Sequence, residues 1–188
     1  MGAAALLCAS MLQGCATQSK IEEYTAPPTK CCSTLSQMSF RPMPLGQELE
    51  LSLTPESPTY TFSGKRQHVA ALKIPDGFNA TLVHATTYLS GVFTWNMSAL
   101  LPEFVFLDGS HKLIDTRPAE EYQRAHGFWR SGVTGRVVVP AGARYFIVKP
   151  ADGSRGVPVV HSDNGTPGRV NPAGIGDISL RIFGEPQK

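Results

Sequence analysis

Glu48-Leu49-Glu50-Leu51-Ser52-Leu53 alternates a charged or polar residue with leucine through six positions. In an extended chain successive side chains point to opposite faces, so this stretch places three leucines on one face of a strand. A period of two, rather than the helical 3.6, sets the reading of everything downstream. Thr59-Tyr60-Thr61-Phe62 repeats the alternation between two chain breakers, Pro58 and Gly64.

Working outward, His68 through Ile74 and Ala80 through Tyr88 read as strands separated by Pro75-Asp76-Gly77. In that tripeptide Pro presets φ for the first corner of a turn and Gly accepts the positive φ that follows. Phe104-Val105-Phe106-Leu107, the turn Asp108-Gly109-Ser110 and the stretch from Lys112 to Asp115 form the next hairpin. Gly135-Arg136-Val137-Val138-Val139 and Tyr145-Phe146-Ile147-Val148 flank Pro140-Ala141-Gly142, and Ile178-Ser179-Leu180-Arg181-Ile182-Phe183 supplies a last strand. These make about nine short strands at roughly 8–15-residue spacing, the pattern of a single all-β domain, a β-sandwich or jelly roll. Only residues 117–126 (RPAEEYQRAH) have helical composition, with Pro near the start where a helix tolerates it, and one short helix or turn is expected there. No β-α-β alternation occurs, which disfavours a doubly wound parallel sheet.

Residues 150–176 are rich in Gly and Pro and exceed the ~4–6 residues of an ordinary connection. A small strand is expected within them, from Val157 to His161. Long loops on rigid β scaffolds often carry binding surfaces.

The chain has 188 residues, 17% charged and 41% hydrophobic, enough to bury a core but with few charges. A net charge of +2, with no basic cluster larger than Lys65-Arg66, is too small for a nucleic-acid footprint. The first charged side chain is Lys20, and the preceding MGAAALLCASMLQGCATQS is a short apolar stretch followed by small residues. Such a stretch is what a signal peptidase reads. Leu12-Gln13-Gly14-Cys15 resembles the bacterial lipobox. The resemblance implies a signal peptide over residues 1–14 and a fatty-acylated (palmitate-bearing) Cys15. It also implies a tether over 15–38, the β domain over 39–188, and anchoring to the outer membrane on its periplasmic side. More than one acyl chain, each contributing ~0.8 kcal/mol per buried CH₂, makes such anchoring stable.

With Cys8 in the signal and Cys15 acylated, the neighbours Cys31 and Cys32 remain, either as a vicinal disulfide or as two packed thiols. Adjacent cysteines close only a strained ring. Two thiols with no further Cys or His at metal-site spacing do not make a zinc site. The five histidines are scattered, and neither a nucleophile elbow nor a phosphate-binding glycine loop occurs, so no enzyme signature and no cofactor are expected. A hydrolase assembled from distant groups such as Asp108 and His161 is an alternative. Candidate contacts for a carbohydrate or a partner are Trp95, Trp129 and Tyr122, since aromatic faces beside polar groups suit such ligands.

Cys31-Cys32-Ser33-Thr34-Leu35, Phe40-Arg41-Pro42-Met43 and Ser57-Pro58 ahead of Tyr60 and Phe62 resemble the opening of the MalM family, the maltose-operon periplasmic proteins and their lipoprotein relatives. The resemblance continues through Leu101-Pro102-Glu103-Phe104-Val105-Phe106-Leu107-Asp108, Arg144-Tyr145-Phe146-Ile147-Val148 and Gly176-Asp177-Ile178-Ser179-Leu180-Arg181-Ile182, so it spans residues 31–183. It implies an envelope location and an association with maltose or maltodextrin uptake, and it carries over no catalytic residues. A structural or protein-interaction module of the envelope, presenting a sheet edge or the 150–176 loop to an envelope protein, is the alternative expectation.

Overall fold

The computed structural model describes residues 31–90, 97–126, 131–152, 159–161 and 167–186, and among them no α-helix occurs. A 3-10 turn at Leu35–Gln37 precedes sixteen strand segments. In chain order these are β1 (Arg41–Pro42), β2 (Leu49–Leu53), β3 (Thr59–Phe62), β4 (Lys65–His68), β5 (Ala70–Lys73) and β6 (Phe78–Tyr88). There follow β7 (Ser98–Ala99), β8 (Pro102–Leu107), β9 (Leu113–Pro118), β10 (Glu120–His126) and β11 (Ser131–Val138). The last are β12 (Tyr145–Pro150), β13 (Val159–His161), β14 (Pro167–Arg169), β15 (Asn171–Pro172) and β16 (Gly176–Pro186).

Ten of these form two five-stranded sheets, β1-β5-β12-β8-β9 and β10-β11-β6-β16-β2. Pairing within them is antiparallel except for β1 on β5. The remainder are two-stranded ladders, β3-β4, β13-β14 and β15-β7. The expected Pro-x-Gly turns are present, with Gly77 and Gly142 at φ of +72° and +81°.

The sheets face each other across one core. Leu72, Phe104, Phe106, Phe146 and Val148 of the first sheet meet Leu49, Val83, Val137, Leu180 and Ile182 of the second. The three phenylalanine rings lie 5.9–6.2 Å apart between centroids. Burying each such ring contributes roughly 1.5–3 kcal/mol, so this layer dominates stability.

The first sheet is covered on its other face as well. Cys32, Leu35, Met38, Phe40, Tyr60 and Phe62 pack over Val105, Leu107, Tyr145 and Ile147. Residues 31–38, placed by the sequence in the tether, are thus part of a third layer together with the β3-β4 hairpin. Two covered faces explain why all six residues of β8 are buried instead of alternating.

Residues 117–126 are not helical, contrary to the sequence expectation. They close β9 and form β10, which pairs with β11. Buried Ala119 donates its N–H to Pro102 O (3.0 Å), and a bulge between Glu120 and Gln123 puts Glu121 at φ +54°. Ladder bonds to β11 and burial at Ala119 outweigh the weak intrinsic helix preference of the segment. Pro118 is accommodated because β9 is an edge strand, where a missing N–H costs no ladder bond.

Candidate functional site

Three segments far apart in sequence converge on a cleft of about 330 Å³. Strand β4 supplies Lys65, Arg66, Gln67 and His68, the end of β12 supplies Pro150 with Ala151 and Asp152 beyond it, and residues 172–174 form the remaining wall. Each wall is fixed by backbone bonds: Ala151 N donates to Leu101 O (2.7 Å), Ala173 N to Ala99 O (2.9 Å) and Val69 N to Pro58 O (2.9 Å).

The side chains lining it are tied in the same way. Lys65 Nζ pairs with Asp152 Oδ1 across the cleft. Gln67 Nε2 donates to Pro150 O (3.2 Å), Arg66 Nε to Thr59 Oγ1 (3.0 Å) and His68 Nδ1 to Ser57 O (2.9 Å).

Next to this wall lies an ion pair that sequence reasoning missed. Glu103 and Lys149 stand opposite each other on β8 and β12, each side chain only 6% exposed, with Lys149 Nζ bound to Glu103 Oε2. The same Nζ sits 5.5 Å from the centroid of Phe62 and donates to Pro150 O (3.4 Å). One carbonyl, that of Pro150, therefore accepts from both the buried pair and Gln67 of the cleft. No local motif could have indicated this, because the partners are 46 positions apart and meet only through strand register.

The residues singled out from sequence fall elsewhere. Cys15, Trp95 and Trp129 lie outside the described residues, as does the side chain of His161. Tyr122 is half-buried, with its ring against the inner core, and burial pushes its phenol above the ordinary value. Cys31 and Cys32 are joined as a vicinal disulfide, Cys31 exposed and Cys32 buried in the covering layer. Asp108 serves its own turn: Oδ1 accepts from Ser110 N (2.8 Å) and Lys112 N (2.9 Å), and these two bonds hold its carboxyl below the usual carboxylate range.

Among the described residues no group of three or more His, Cys, Asp or Glu side chains is placed to hold a metal ion. Side-chain donors, one carboxylate and the exposed ring of Pro172 line this recess. Compared with protein-family models, with curated proteins and with solved structures, the chain finds no match.

Proposed function

We propose that this chain is a non-enzymatic lipoprotein of the bacterial envelope, MalM-like, that binds carbohydrate. In this reading acylated Cys15 holds it to the outer membrane, and the β-sandwich faces the periplasm. Maltodextrin is the first candidate ligand.

The observation that supports the binding role is the composition of the cleft at β4. A polyhydroxylated ligand needs directional donors and acceptors interleaved with flat apolar surface. Lys65, Arg66 and Gln67 offer donors, Asp152 an acceptor, and exposed Pro172 an apolar ring face within one recess. Its volume sits at the small end of the ~300–1,000 Å³ range of small-molecule sites, enough for a sugar unit or two of a longer chain.

Calorimetric titration with maltoheptaose tests this. Heat is expected with the wild type and a loss of about tenfold in affinity with Gln67→Ala, which removes one donor and loosens Pro150. No heat with the wild type disposes of maltodextrin as ligand. Palmitate labelling of the wild type, absent in Cys15→Ala, tests the anchor separately.

A further inference from the structure

Strand β2 is an edge. Among the described residues it pairs only with β16, so its other side presents backbone donors and acceptors, apart from Ser52 O, which accepts from Ser57 Oγ (3.3 Å). Its side chains divide by parity: Leu49 and Leu53 are buried and Leu51 half-buried toward the sandwich, while Glu48, Glu50 and Ser52 are exposed on the outer face.

Immediately inside this edge runs a second cleft, of about 360 Å³. Leu51, Leu53, Met38, Val69, Ala71 and Leu72 give it an apolar lining. It exists because β1, on the opposite sheet, is two residues long and pairs only with Leu72 and Lys73, leaving the rest of that margin of β5 open. Arg41, on the far wall, is the one charged residue among the described lining.

The outer rim carries the carboxylates of Glu48, Glu50 and Asp177, with the exposed Arg181 beside them on β16. Glu48 accepts from Ser179 Oγ (3.1 Å), Glu50 stands opposite Ser179 in register, and Asp177 accepts from Ser52 Oγ (2.6 Å). These hydroxyl bonds orient the carboxylates of Glu48 and Asp177.

We propose that β2 takes up an extended peptide segment as a sixth strand of its sheet, and that this segment alternates apolar residues with Lys or Arg. A strand added to β2 has its own period of two. One set of side chains enters the cleft and buries apolar surface against Leu51, Leu53 and Leu72. The other set lies on the outer face beside Glu48 and Glu50, where opposite charges on neighbouring strands attract and like charges repel. The same rule disfavours a second copy of this chain, since antiparallel pairing of two β2 edges brings glutamates of one copy against those of the other. The site shares no lining residue with the cleft at β4 and does not depend on sugar binding.

The test uses the full chain with two fluorescein-labelled heptapeptides, Val-Lys-Val-Lys-Val-Lys-Val and its Val-Glu counterpart, read by anisotropy and by amide exchange. The Val-Lys peptide is expected to bind at least about tenfold more tightly than the Val-Glu peptide and to slow exchange at Leu49–Leu53. Glu48→Lys/Glu50→Lys, which alters only exposed side chains, is expected to invert that preference; Glu50→Gln alone weakens it. Equal binding of the two peptides, binding of neither, or a preference unchanged in the double variant overturns the proposal. A wild-type dimer in sedimentation that dissociates on Glu50→Lys also overturns it, giving the edge to a second copy.

Discussion

Tyr122 illustrates what a single residue gains from its surroundings. The bulge between Glu120 and Gln123 inserts an extra residue and resets which face the following side chains occupy. The ring then lies over Gly135 of β11: a Cβ there would stand 2.8 Å from Tyr122 Cε1, so only glycine leaves room. From sequence Tyr122 reads as a contact residue because an aromatic face beside polar neighbours suits a ligand, and nothing in Glu-Glu-Tyr-Gln announces the bulge. Burial raises the phenol pKa, so the folded state keeps a proton that the unfolded chain releases near pH ~10. The sign follows: stability associated with Tyr122 is complete below about pH 10 and is lost as pH rises above it, because the unfolded chain then binds fewer protons. Urea unfolding of the wild type is therefore expected to weaken more steeply above about pH 10 than that of Tyr122→Phe, the two converging in slope at neutral pH. Parallel curves through the alkaline range would count against this account.

At the scale of elements, β8 and β12 show how register creates chemistry. Glu103 and Lys149 are buried because the β3-β4 hairpin and residues 31–40 cover the outer face of the first sheet. Lys149→Met leaves Glu103 buried without its ammonium and is expected to cost ~3–5 kcal/mol in urea unfolding. Glu103→Leu/Lys149→Met removes both charges and is expected to regain most of that loss, since apolar replacements of a buried pair are often neutral or stabilising. A double variant as unstable as the single one would show that the pair's remaining contacts, not the uncompensated charge, set the cost. The strand itself was legible in Phe104-Val105-Phe106-Leu107, as were β2 from its leucines and the turns at Gly77 and Gly142 from Pro-x-Gly. The burial of Glu103 was not, because nothing local tells that a third layer lies over it. The candidate cleft was illegible for the same reason: β4, residues 150–152 and residues 172–174 meet only after the sheets have formed. The segment 117–126 misled because its composition favours a helix, while the ladder it forms with β11 leaves no mark in its own residues.

The whole molecule is three layers with unequal ties. The inner core joins the two sheets through large side chains from both, including Phe104, Phe146, Leu180 and Ile182. The cover is held to the first sheet by a smaller apolar cluster and by a bond at its margin, Gln67 Nε2 of β4 to Pro150 O of β12 (3.2 Å). Its β3-β4 hairpin is a ladder of its own and joins neither five-stranded sheet. Regions with fewer buried contacts open at lower free energy than the global transition. Native-state hydrogen exchange is accordingly expected to release β3, β4 and residues 31–40 through a local opening insensitive to low denaturant. The central strands β6, β8, β11, β12 and β16 should exchange only by global unfolding. Met38→Ala is expected to accelerate the cover while leaving the sheets unchanged, whereas Phe146→Ala accelerates every layer. Equal protection of β4 and β6 would make the molecule one cooperative unit and refute the layered account. The proposed site straddles this division, since β4 of the cover forms one wall and Asp152, just past β12 of the first sheet, stands in another. A ligand that bridges them must stabilise the closed cover. Saturating maltoheptaose, where it binds, is therefore expected to slow exchange in β4 and leave β6 and β16 as they were at low denaturant.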